Sequence, residues 1–114
     1  MQNKKGEKMF DFKSWKKVSL ANATVEFYEN DEYLAFDSSK CMPPEPMINA
    51  RVGLNSLKPN QKLIMLNHKN PLGLLPSVKP YYEIETTQKD GLFWLVFTKI
   101  KEHDNFDEAC KDHP

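Results

Sequence analysis

Five side chains able to do chemistry fall beside two proline-marked turns: Asp37, Cys41 and Glu45 around the first, His68 and Asn70 at the second. The first turn reads Cys41-Met42-Pro43-Pro44-Glu45-Pro46-Met47. Regular structure is forbidden there, yet Pro46 sits where a helix tolerates proline, in its first turn. Glu45 thus stands at a helix N-terminus, with Cys41 just ahead of it. Backbone N–H groups and the positive end of the helix dipole then point at whatever lies beside this loop. At the second turn, His68-Lys69-Asn70-Pro71 offers a titratable imidazole, with Asn70 as the N-cap of a second helix. Imidazole and helix N-termini together make a seat for a small anion or a partner's acidic side chain.

Other groups carry less. His103, Asp104, Cys110 and His113 are metal-ligand types without a metal-ligand spacing, so a solvated polar tail and no bound metal are expected. Tyr81, Tyr82, Phe93 and Trp94 resemble a stacking platform but lack interleaved arginine, and read as hairpin core. No glycine-rich phosphate loop, Ser/His/Asp set or carboxylate pair stands out. The chemistry expected is therefore binding rather than catalysis, with no cofactor.

The elements that must position these residues follow from periodicity. Tyr33-Leu34-Ala35-Phe36-Asp37 is a short apolar strand, and Leu63-Ile64-Met65-Leu66 a continuous apolar run, as in a buried parallel strand. Between them Met47, Ala50, Gly53, Leu54 and Leu57 share one helix face, with Ile48 and Val52 off that stripe, and Pro59 stops the helix. Leu72, Leu74, Leu75 and Val78 give a second helix an apolar side, while Pro76 and Pro80 keep it short. Residues 81–87 and 92–101 flank Lys89-Asp90-Gly91, a hairpin signal. The order is β-α-β-α-β-β: an α/β (α+β) two-layer sandwich, with a four-stranded mixed sheet and two helices on one face. A right-handed crossover between parallel strands at 33–37 and 61–67 places both site loops, 38–46 and 67–71, along one edge.

Both alternate sets of Phe93-Trp94-Leu95-Val96-Phe97 are apolar, so both sheet faces require cover. Two helices cover one. Residues 1–32, an extension containing Met9, Phe10, Phe12, Trp15 and Val18, supply a lid for the other; the alternative is a homodimer through the open face. Val25 and Phe27 alternate within 23–30 and allow an extra strand there. The division expected is extension 1–32, domain 33–101 and polar tail 102–114.

The chain has 114 residues and a formal net charge of zero, with Arg51 its single arginine among fifteen lysines. That balance argues against nucleic-acid recognition, since arginine is the usual bidentate reader of phosphate and guanine. No apolar run is long enough to span a membrane and no signal-peptide core follows Met1, so a cytoplasmic protein with reduced Cys41 and Cys110 is expected.

The strand, the Pro44-Glu45-Pro46 helix start, the Ala50-x-x-Gly53-Leu54-x-x-Leu57 face, the second strand, short helix and hairpin resemble the TusA/SirA sulfur-carrier superfamily. Its signature is Cys-Pro-x-Pro, and here Pro43 stands at the cysteine position. Pro43-Pro44-Glu45-Pro46-Met47, His68-Lys69-Asn70-Pro71-Leu72 and Leu74-Leu75-Pro76 are more similar to a sister group of bacterial domains of unknown function that lack the cysteine. Over residues 33–101 the resemblance implies a TusA-like fold. The function expected is a small binding or accessory protein that holds an anionic ligand or partner at the rim of Asp37, Glu45, His68 and Asn70. The alternatives are a sulfur or redox carrier acting through Cys41, or a self-associating subunit.

Overall fold

Leu63-Ile64-Met65-Leu66 is apolar on both alternate sets because its strand is covered from both sides, and all four side chains are buried. The structure, a computed structural model, describes residues 11–108. A 3-10 turn at Phe12–Ser14 precedes β1 (Lys16–Val18), β2 (Phe27–Glu29), β3 (Tyr33–Asp37), α1 (Glu45–Asn55), β4 (Lys62–Asn67), α2 (Leu75–Val78), β5 (Tyr82–Lys89) and β6 (Leu92–Lys99). The strands form one mixed sheet in the order β1-β2-β3-β4-β6-β5. Only β3 and β4 run parallel, with Asp37 opposite Leu66 at their C-terminal ends. The α/β class is as expected, but the sheet has six strands rather than four. The extension supplies the extra pair: β2 adds antiparallel to β3, and β1 to β2. Phe27 gave β2 a signal, whereas β1, with Lys16 and Lys17 both exposed, carries no alternation to detect.

One face of the sheet holds the main core. Ala50, Val52 and Leu54 of α1 and Leu75 and Val78 of α2 are buried with Phe27, Leu34, Phe36, Leu63, Met65, Leu95 and Phe97. Val52, expected off the buried stripe, is thus inside it. Helix α1 ends at Asn55, two residues before Leu57, where the Ser56 hydroxyl donates to the Val52 carbonyl at 2.8 Å. The second helix is a single turn starting at Leu75, not at Pro71. Pro71 opens a turn instead, its carbonyl accepting from the backbone N–H groups of Leu74 and Leu75.

The opposite face is also covered. Phe12 is buried there, with Tyr28, Ala35, Ile64 and Leu66 around it and Trp15, Trp94 and Val96 against that cluster. Its ring lies 5.8 Å from Tyr28 and 6.2 Å from Trp94. Met9 and Phe10 lie outside the described residues, as do Cys110 and His113.

Beyond β6 the described residues, 100–108, are not the free solvated tail expected from their polarity. Phe106 is fixed to Asn55 at the end of α1 by its own N–H and C=O, at 2.8 and 2.9 Å. The Tyr82 hydroxyl meets His103 Nε2 at 2.8 Å, while His103 Nδ1 faces the Asp104 carbonyl at 2.6 Å. Since a carbonyl can only accept, Nδ1 carries a proton, and in the neutral ring that leaves Nε2 to accept from tyrosine. Burial, with Glu102 nearby, pushes the Tyr82 phenol up to about 12, so it remains a donor. Seven residues of polar appearance hide one aromatic anchor. That is why composition misled.

Candidate functional site at the C-terminal ends of β3 and β4

The parallel β3–β4 pair sends both following loops to one edge of the sheet, as the crossover argument requires. Ser38 ties the loops together. Its N–H donates to the Leu66 carbonyl at 2.8 Å and its hydroxyl lies 2.9 Å from Asn67 Oδ1. Asn67 in turn donates to the Lys69 carbonyl at 2.9 Å. Both side chains are buried, so their polar atoms must be satisfied within the protein, and each is.

The residues along this edge divide into two sets. Asp37 lies on the leader side: its carboxylate accepts from the Ser39 N–H at 2.8 Å and from Lys13 Nζ at 2.9 Å, and is bonded by the Ser39 hydroxyl. Burial by itself raises this carboxyl, but the Ser39 bonds and the Lys13 ammonium outweigh it and hold Asp37 below its ordinary value. Glu45, in the first turn of α1, accepts from the Thr24 hydroxyl at 3.2 Å. Thr24 also gives its N–H to Asn49 Oδ1 at 2.8 Å, and Asn49 Nδ2 returns a bond to Thr24 Oγ1. Cys41 completes this set. Burial pushes its thiol up, as do its hydrogen bond to Glu45 and the charges of Glu45 and Asp37. The helix end that would favour a thiolate is therefore already occupied by a carboxylate, and Cys41 is a neutral thiol at pH 7.

His68 and Asn70 form the second set. His68 Nδ1 and Asn70 Oδ1 are buried and have no hydrogen-bond partner. Asn70 is not the helix cap expected of it, because α2 starts too late to use it. No hydrogen bond or ion pair joins either residue to Asp37, Cys41 or Glu45. The five residues share an edge without forming one cluster.

Comparison with protein families, with curated proteins and with solved structures gave no match. The reading of this edge therefore rests on its own chemistry. Among the described residues no three metal-ligating side chains converge, and no helix is long and apolar enough to cross a membrane. A groove of about 620 Å³ lies at the other end of β4, lined by Lys58, Lys62, Lys99 and Lys101. Two of those lysines are already paired, Lys58 with Glu29 at 3.2 Å and Lys99 with Glu102 at 3.7 Å.

Sequence reasoning missed Lys13, Thr24, Ser38, Asn49 and Asn67. Four of these are small or medium polar residues without periodic signal. Only Asn49 left a trace, a lone polar side chain beside Ala50 on the buried side of α1.

The Asp37 contacts set a pH dependence. Because folding lowers its pKa, Asp37 contributes stability that is present above the ordinary value of 3.8 and lost as pH falls through the lower folded value. Asp37→Asn is expected to flatten the acid limb of the stability curve below pH about 4, measured by urea unfolding at stepped pH. An unchanged acid limb would show that Lys13 and Ser39 do not hold this carboxylate in solution.

Proposed function

We propose that this protein is a non-enzymatic binding or accessory protein whose β3–β4 rim holds an oxyanion, free or carried by a partner, through His68 and Asn70. The observation that carries the reading is the buried, unpartnered pair His68 Nδ1 and Asn70 Oδ1. Leaving one such group unsatisfied costs about 1–3 kcal/mol, so two on one loop favour an occupant that supplies the missing bonds. Asn70 Oδ1 requires a donor, and His68 Nδ1 can donate or accept. An oxyanion that still carries a proton, such as hydrogen phosphate, offers both. Charge agrees: with Asp37 neutralised by Lys13, the loops set Lys40 and Lys69 against Glu45. Asp37 and Glu45 then shape the rim without touching the ligand. The strand order β3-β4-β6-β5 with α1 and α2 on one face is compatible with the TusA-like reading of residues 33–101. The raised thiol of Cys41 gives the carrier reading no support.

The test is NMR of the His68 ring and the Asn70 side-chain amide during addition of phosphate or sulfite, both partly protonated near neutral pH. Saturable shifts confined to the 67–71 loop are expected, and they should vanish in His68→Ala. Shifts that spread evenly over surface lysines, or none at millimolar anion, would remove the proposal.

A further inference from the structure

The two edges of the sheet differ in kind. At one, β1 is three residues long and two of them are lysines, Lys16 and Lys17. Short length and lysine are standard protections against strand addition. At the other, β5 runs for eight residues, Tyr82–Lys89, in one unbroken register with β6. It contains no proline and no bulge, and its one lysine stands at the hairpin end.

The hairpin turn fixes which backbone groups this edge presents. Asp90 and Gly91 both have positive φ, 57° and 79°, which makes a type I′ turn. Lys89 and Leu92 flank it as a hydrogen-bonded pair, and the alternation of an antiparallel ladder does the rest. Glu83, Glu85, Thr87 and Lys89 turn their N–H and C=O groups toward β6. Tyr82, Ile84, Thr86 and Gln88 turn theirs outward, and among the described residues nothing bonds to those backbone groups. Thr86 and Gln88 are exposed.

We propose that β5 pairs antiparallel with β5 of a second copy about a twofold axis at Thr86, joining two sheets into one. The register is selected by the residues themselves. Outward-turned residues must face outward-turned residues, which leaves dyads at Glu85, Thr86 or Thr87 as the central choices. A dyad at Glu85 sets Glu85 against its own copy at the closest side-chain approach, which is repulsive. A dyad at Thr87 leaves Ile84 without a partner. At Thr86 the three outward residues nearest the hairpin are bonded, Thr86 to Thr86 and Ile84 to Gln88 in both directions, and only Tyr82 at the strand end is left over. The same register places Glu83 opposite Lys89 twice, on the same sheet face. Self-complementary charge is what a twofold interface requires. This surface is separate from the β3–β4 rim and stands without it. It also replaces association through the open face, since Phe12 already covers that face.

Sedimentation of the full chain from micromolar to millimolar concentration tests the pairing. A monomer–dimer equilibrium is expected. Thr86→Pro removes an N–H that β6 does not use, so it should keep the fold and thermal midpoint while abolishing the dimer. Glu83→Lys should weaken association about tenfold, and Glu83→Lys combined with Lys89→Glu should restore it, two cross-strand ion pairs being lost and regained. Should Thr86→Pro fail to fold, the charge swap decides alone. A chain that stays monomeric throughout overturns the proposal, as does a dimer indifferent to these substitutions.

Discussion

Replacing Phe12 with alanine is expected to lower stability by about 3 kcal/mol, at the low end for a buried phenylalanine. Only 2 % of its surface is exposed, and its ring lies among Trp15, Tyr28 and Trp94. The low end applies because Phe12 sits in a short turn that can partly collapse into the space it leaves. At about 4 °C per kcal/mol for a chain of this size, the melting temperature should fall by about 12 °C. Trp94 emission should move to longer wavelength as water reaches the outer sheet face. A melting temperature within about 2 °C of the parent would mean that residues 11–15 do not form the lid.

Gly53→Val should have a comparable effect for the opposite reason. At Gly53 α1 lies tight against the sheet: a Cβ built there would lie 2.7 Å from Leu63 Cδ1 and 3.0 Å from Phe27 Cε2. Both neighbours are fully buried, so neither can swing into solvent. Overpacking of this kind costs about 1–3 kcal/mol, and valine adds two further methyl groups at the point of contact. Glycine in a helix is itself unfavourable by about 0.5–1 kcal/mol, which offsets part of the loss in Gly53→Ala. The expected order is therefore parent, then Gly53→Ala about 1 kcal/mol lower, then Gly53→Val about 3 kcal/mol lower, read from urea midpoints at constant m. A Gly53→Ala variant more stable than the parent would show that α1 can lift off the sheet at little cost.

The central order of the fold was legible wherever apolar periodicity was strong. The runs at Leu34–Phe36 and Leu63–Leu66, the face of α1 and the Asp90-Gly91 turn each declared their element through side-chain pattern or backbone requirement. β1 was not legible because its pairing is made by backbone alone, with lysines pointing to solvent. Asn70-Pro71 looked like a helix start, since N-cap chemistry is local, yet Pro76 and the packing of Leu74 moved the helical turn onward. The site was legible as a place but not as a set of bonds. Parallel strands had to bring the loops of Cys41 and His68 to one edge. That Asp37 would be taken by Lys13, and Glu45 by Thr24, depended on how the extension folds back, which no window of sequence around those residues contains.

The contact of Phe12 with Trp94 joins the first described turn to the penultimate pairing of the sheet. During synthesis residues 11–15 leave the ribosome before β6 does, and the surface they cover is incomplete until β6 inserts between β4 and β5. The parallel β3–β4 pair must likewise close over a helical crossover before it is rewarded. Such non-local closure slows folding relative to folds built from neighbouring contacts. Phe12 and Trp15 therefore lack part of their cover until β6 has been made. In a chain ordered this way, the lid is written before the surface it has to fit.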